Sequence, residues 1–177
     1  MDLNNTTTPE PERDLAQTPP WFVKAAENFL GLRFEVDVCT LKATRKCPAF
    51  YSLIDFGVNG LEVPWGRVNW CNPPYSDVMP WVKKATQEAE HGRISCLLIP
   101  DKPEVGYIRA CDEVADTIFH MPFRLNFLRP DGSEFMDKDD KKQGPKFPVA
   151  LILFTPWGLR SPTRHTYVDF RIYRPAN

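Results

Sequence analysis

"RVNWCNPPYSDVMPW", residues 67–81, opens as a strand and stops against two consecutive prolines. Pro73 and Pro74 remove two backbone donors and fix φ at both positions, so "RVNWC" cannot run on as a ladder strand. In its place stands a rigid corner bearing an amide (Asn72), carbonyls with no donor of their own, and an aromatic ring (Tyr75). Immediately afterwards "MPWVKKATQEAEHG", residues 79–92, reads as a helix, with Pro80 near its start and Gly92 beyond its end. A strand, a polar corner and a helix in that order decide the reading of the whole chain.

The same alternation continues on both sides. Upstream, "TPPWFVKAAENFLG" predicts a helix with Thr18 as N-cap, Pro19 in the first turn and Gly31 just past the end. A strand follows from Phe34 to Val38, ending near Asp37, and then a turn-rich stretch with one short helix. Downstream, "RISCLLIP" is a continuous apolar run, as in a buried parallel strand. A weaker helix over "PEVGYIRACDEV", a short strand over "ADTIFHM" and an apolar strand over "FPVALILFTP" come next. "TYVDFRIY" alternates and reads as a half-buried antiparallel strand. These elements predict an open α/β sheet, mostly parallel, finished by antiparallel C-terminal strands. One domain over residues 18–177 follows a mobile arm of residues 1–17. Ligands bind such sheets beyond the carboxyl ends of the strands, where both Asp37 and Asn72 fall.

Composition narrows the classes. The 177 residues, 42% hydrophobic and 12% aromatic, fit one globular domain. No apolar run approaches the roughly 18 residues of a membrane span, and the N-terminus lacks a signal-peptide core. Five cysteines without C-x-x-C spacing and three scattered histidines argue against a metal site, and for reduced thiols in a cytoplasmic protein. The net charge of −1 does not announce a nucleic-acid binder, although the tail holds Arg160, Arg164, Arg171 and Arg174 against Asp169 alone.

The corner itself suggests chemistry. Asn72 offers a side-chain acceptor and Pro73 a backbone carbonyl, spaced to receive both hydrogens of an exocyclic amino group. An aromatic amine is a poor nucleophile because its lone pair is delocalised into the ring. Accepting both N–H groups favours the pyramidal amine, whose lone pair is free to attack. Tyr75 supplies a face on which a flipped base stacks, and a stack of about 1–3 kcal/mol offsets much of the unstacking cost. A polyproline ligand segment and a plain turn before the helix at residue 80 are the other readings of the same residues.

"NWCNPPYS" followed by "WVKKA" resembles the amino-methyltransferase motif of phage-type DNA N6-adenine methyltransferases, which use S-adenosylmethionine. "TPPWFVKAAENFLGLRFEVDVCT" is similar to that family's opening helix and first strand, and "ISCLLIPDKPE" and "FPVALILF" to its later strands. The resemblance implies a reduced Rossmann-like methyltransferase sheet. Asn72, Pro73, Pro74 and Tyr75 then form the methyl-acceptor pocket. Asp37, Cys39, Asp55, Thr18 and Pro19 belong to the cofactor site. Double-stranded DNA is the implied partner, with no metal. A phage or prophage protein that protects its DNA in the host cytoplasm fits the family. Arg124, Arg129, Lys141, Lys142 and Lys146 are the candidate DNA contacts.

Two features depart from the wider pattern. "DVCTLKATRKC" has no glycine where most such enzymes have a glycine-rich cofactor turn, and Cys39 and Thr40 stand there instead. Only 35 residues separate Asp37 from Asn72, too few for two full strand–helix units of about 30 residues each, which predicts a truncated sheet on that side. The alternatives are a non-catalytic DNA- or protein-binding relative, or methylation of cytosine N4, an RNA adenine or a protein glutamine.

Overall fold

A computed structural model of the chain describes residues 14–136, 147–157 and 161–176. Among these residues the elements run α1 (Pro20–Leu30), β1 (Val36–Asp37), β2 (Ala49–Phe50), α2 (Leu53–Phe56), β3 (Val68–Cys71) and α3 (Met79–Glu90). They continue with β4 (Ile94–Pro100), α4 (Gly106–Val114), β5 (Thr117–His120), β6 (Val149–Phe154), β7 (Arg164–Tyr167) and a 3-10 turn (Phe170–Tyr173).

One sheet collects all seven strands in the order β2-β1-β3-β4-β6-β5-β7. β6 is antiparallel to both of its neighbours, and every other pairing is parallel. The protein is thus the reduced, mostly parallel α/β sheet expected of it. Central β4 shows why: successive side chains point to opposite faces, and both faces are covered. Leu97 and Ile99 pack with Trp81 and Val82 of α3 and Ile108 of α4. Cys96 and Leu98 pack on the other face with Phe22 and Val23 of α1 and with Phe170. Each fully buried apolar side chain of this kind contributes about 1.5–3 kcal/mol, and the core is continuous on both sides.

Local chemistry sets the helix ends. α1 has proline in its first turn and ends at Gly31, whose φ of 65° is the left-handed geometry glycine adopts without strain. Its N-cap is Pro19, and the Thr18 side chain makes no capping bond, contrary to the sequence expectation. In α2, the Ser52 side chain accepts the Asp55 N–H at 3.1 Å, a one-turn helix held by its own cap.

Two other expectations are corrected. β2 escaped the sequence reading because it is two residues long. It is held by backbone bonds from Ala49 N to Glu35 O and from Tyr51 N to Asp37 O. The alternation in "TYVDFRIY" is not an antiparallel strand. The edge strand ends at Tyr167, is parallel to β5, and has all four side chains exposed. Asp169 then starts the 3-10 turn by accepting the Arg171 N–H, which drives Phe170 into the core against Phe22 and leaves Ile172 74% exposed.

The anticipated truncation is visible. Between β1 and β3 the chain builds only the two-residue β2 and the one-turn α2. It returns through Gly60, where an added Cβ would stand 2.0 Å from the Val38 carbonyl oxygen. This close approach of two backbones admits no side chain. Gly60→Ala is expected to lower the urea midpoint by an amount equivalent to about 2 kcal/mol or more, because the obstacle is backbone and cannot rotate away. Equilibrium unfolding of the variant beside the wild type checks it.

Candidate active site

Pairing of β1 with β3 places Asp37 opposite Trp70, so Asn72 emerges two residues further along the neighbouring strand. At these strand ends lies a cleft of about 210 Å³, with Thr18, Asp37, Cys39, Asn72 and Pro74 in its lining. Leu53 and Ile54 of α2 also line it while remaining 62% and 70% exposed, so that wall is thin and open to solvent. Residues 14–17 also line the cleft. The expected mobile arm is therefore bonded to the fold over its last four residues: Gln17 exchanges backbone bonds with Leu128 at 2.8 and 2.9 Å.

The polar atoms of the cleft are unevenly satisfied. Asn72 donates from Nδ2 to the Ala16 carbonyl at 3.0 Å, while its Oδ1 is buried without a protein partner. The Thr18 hydroxyl is likewise buried and unpartnered. A buried polar group left unpaired costs about 1–3 kcal/mol. Two such groups in one cleft are what a site awaiting a polar ligand looks like.

Asp37 is the cleft's acid and is 2% exposed. Its Oδ2 accepts the Lys46 N–H at 2.9 Å. Burial raises its pKa to about 7, opposed by backbone bonds from Lys46 and Cys39, the Lys46 charge and the Thr40 hydroxyl. Burial pushes the Cys39 thiol up, with the Asp37 charge adding to it, so this cysteine is no nucleophile.

Tyr75 and Pro73 lie outside the lining of this cleft. The Tyr75 ring meets Phe127 edge-on at 5.8 Å and Phe147 at 6.0 Å, with its hydroxyl buried and unpartnered. Tyr75 thus packs against two further rings, outside the lining of the cleft to which Asn72 belongs. Asp55 is not brought to the cleft: its Oδ2 accepts the Lys42 N–H at 2.6 Å and the Ser52 hydroxyl at 2.7 Å, and those bonds hold its carboxyl low. Pro19 serves as the α1 N-cap.

Of the candidate DNA contacts, Arg124 is exposed and Arg129 lies over Phe135, while Lys141, Lys142 and Lys146 fall outside the described residues. Arg164 and Arg171 of the tail are paired with Asp116 and Asp169, and Arg174 lies over Trp21. Sequence reasoning missed Ala16, Gln17, Lys46 and Gly60. Only Gly60 carried a signal, as a glycine inside a turn-rich stretch.

The chain matches the family described as DNA N-6-adenine-methyltransferase (Dam) over residues 5–169. It belongs to that family. A DNA N-6-adenine-methyltransferase of Haemophilus phage HP1 is 27% identical over 170 residues, covering 94% of this chain and 93% of the relative. Another, of Escherichia phage T1, is 32% identical over 117 residues, covering 64% of this chain and 48% of the relative. A solved structure named as a predicted O-methyltransferase of Agrobacterium tumefaciens covers 84% of this chain and 85% of its own at 13% identity, with a TM-score of 0.42. Membership of the Dam family makes this protein an enzyme of DNA adenine N6 methylation. Among the described residues no group of side chains could hold a metal ion, and no helix is long and apolar enough to cross a membrane.

Asp37 gives the site a pH signature. Folded, it keeps its proton up to about pH 7; unfolded, it loses it near 3.8. Between those values the folded chain binds the extra proton, so the contribution of Asp37 to stability falls as pH rises through the window. Asp37→Asn is expected to flatten that slope. Urea unfolding of both proteins at about pH 5 and about pH 7.5 measures it.

Proposed function

We propose that the enzyme methylates N6 of an adenine flipped out of double-stranded DNA, with S-adenosylmethionine as donor. The observation that carries this reading is the orphaned, buried Oδ1 of Asn72, fixed by its strand end beside a cleft whose acid is Asp37. The cleft suits the donor chemically. Asp37, once ionised, is an anion for the cofactor's ammonium or ribose hydroxyls, and the unpaired Thr18 hydroxyl is a second polar contact. Leu53, Ile54 and Val58 offer apolar surface for the adenine ring of the cofactor. When bound, the cofactor supplies an electrophilic methyl group on sulfur.

The chain's own residues do the rest. Asn72 Oδ1 and the Pro73 carbonyl accept the two amino hydrogens and leave the N6 lone pair free. That lone pair forms the new N–C bond as the S–C bond breaks, and the amine then gives a proton to solvent. Tyr75 stacks on the target ring. Asn72 Oδ1 has no exposed surface in this structure, so admitting the base requires neighbouring groups to part. The ring contacts of Tyr75 with Phe127 and with Phe147 are the natural place, since about 1–3 kcal/mol of base stacking replaces them. Phosphate binding falls to exposed basic residues such as Arg124. A phage-encoded enzyme of this kind works in the host cytoplasm.

Incubation with labelled cofactor and unmethylated DNA is expected to yield N6-methyladenine. Asn72→Ala should reduce transfer by at least about a hundredfold, the scale of losing one acceptor of this type. Its thermal unfolding and its calorimetric binding of the cofactor should stay close to wild type. Wild-type rates in the variant would exclude the mechanism.

A further inference from the structure

Residues 14–17 form a strap pinned to three parts of the fold. The Asp14 carboxylate accepts the Ser76 hydroxyl at 2.5 Å and the Ser76 N–H at 3.3 Å, one residue beyond the Asn-Pro-Pro-Tyr corner. The Gln17 backbone pairs with Leu128, and its side chain donates to the Arg129 carbonyl at 2.7 Å. Gln17 Oε1 also accepts the Lys46 ammonium at 2.5 Å. Between these pins, the Ala16 carbonyl receives Asn72 Nδ2.

A carboxamide has two nearly isosteric orientations related by a half-turn, and their polarities are opposite. One offers an acceptor to an incoming amino group; the other sets NH₂ against N–H. A backbone carbonyl can only accept, so the Ala16 oxygen favours the orientation in which NH₂ faces the strap. Reversed, two acceptor oxygens would meet at about 3 Å without a proton between them. We propose that the strap is a positioning element for the methyl-acceptor site: by holding the Ala16 carbonyl against Asn72, it fixes the carboxamide with Oδ1 turned to the target amine. This rests on the reading of Asn72 as that acceptor. It makes an asparagine at this corner dependent on a segment 56 positions away in the chain.

A symmetric carboxylate has no orientation to select, and the Ala16 oxygen repels it. The test is therefore a double-mutant cycle on the full chain with Asp14→Ala and Asn72→Asp. Asp14→Ala alone is expected to lower kcat about tenfold with little change in KM, the loss of an interaction that matters in the transition state. In the Asn72→Asp background the same change should leave kcat equal or raise it. Equal fractional losses in both backgrounds, or no loss in the first, would overturn the proposal. A second readout needs no turnover: solvent exchange of the Asn72 side-chain amide protons by NMR. These should be protected in the wild type and exchange at least about tenfold faster in Asp14→Ala. Equal exchange rates overturn the strap's role. A wild type that protects this amide yet transfers no methyl group overturns the reading of the site instead.

Discussion

The termination of β3 by Pro73 and Pro74 is the constraint on which the site depends. With no N–H at two successive positions, the strand cannot extend its ladder toward β4, and the backbone must turn where the sheet ends. The turn fixes Asn72 at the carboxyl edge beside Asp37, because β1 and β3 are paired in register two residues earlier. It also sends the chain into α3, whose Trp81 and Val82 seal the face below. A corner built from ordinary residues could relax into further pairing. This one has no such option, so an unpaired carboxamide oxygen is held where a mobile side chain would find a partner.

Much of this was legible in the sequence, for identifiable reasons. Helices α1 and α3 and strands β3, β4 and β6 are marked by strong periodicity or long apolar runs bounded by proline and glycine, so the chain states them locally. The two-residue β2 is not stated locally, because its pairing depends on a neighbour brought to it by the rest of the sheet, while β1 reads in the sequence as a longer strand, Phe34 to Val38, of which only Val36–Asp37 pair. The C-terminal alternation misled because a 3-10 turn that buries Phe170 and exposes Ile172 has the same short pattern as a strand. At the site, Asn72, Asp37 and Thr18 could be found from position and resemblance. The Ala16 carbonyl could not, since any residue supplies one. Asp55, expected in the cofactor site, accepts bonds from Ser52 of its own helix cap and from Lys42.

The turn after β1 has no glycine. Most folds of this kind use small residues in that turn so that the backbone can approach a ligand. Here the turn carries Cys39 and Thr40, and the nearby Gly60 serves a contact within the protein: it packs on the Val38 carbonyl and accepts the Trp65 indole N–H at 2.7 Å. Asp37 is then wrapped by backbone N–H groups of Cys39 and Lys46 and not by an open glycine loop, and its burial follows from that wrapping.

The one-turn helix α2 has a kinetic consequence. Its Leu53 and Ile54 form a side of the cleft, yet none of its residues is buried, and it is held by a Ser52–Asp55 cap, a bond from the Lys42 N–H to Asp55 and a tilted ring contact of Phe56 with Phe50 at 5.8 Å. A wall with so little packing behind it separates from the domain at small free-energy cost, while the sheet and both cores stay intact. Opening of the cleft on this side can then proceed by fraying of one helical turn, leaving the strand edge that carries Asn72 undisturbed.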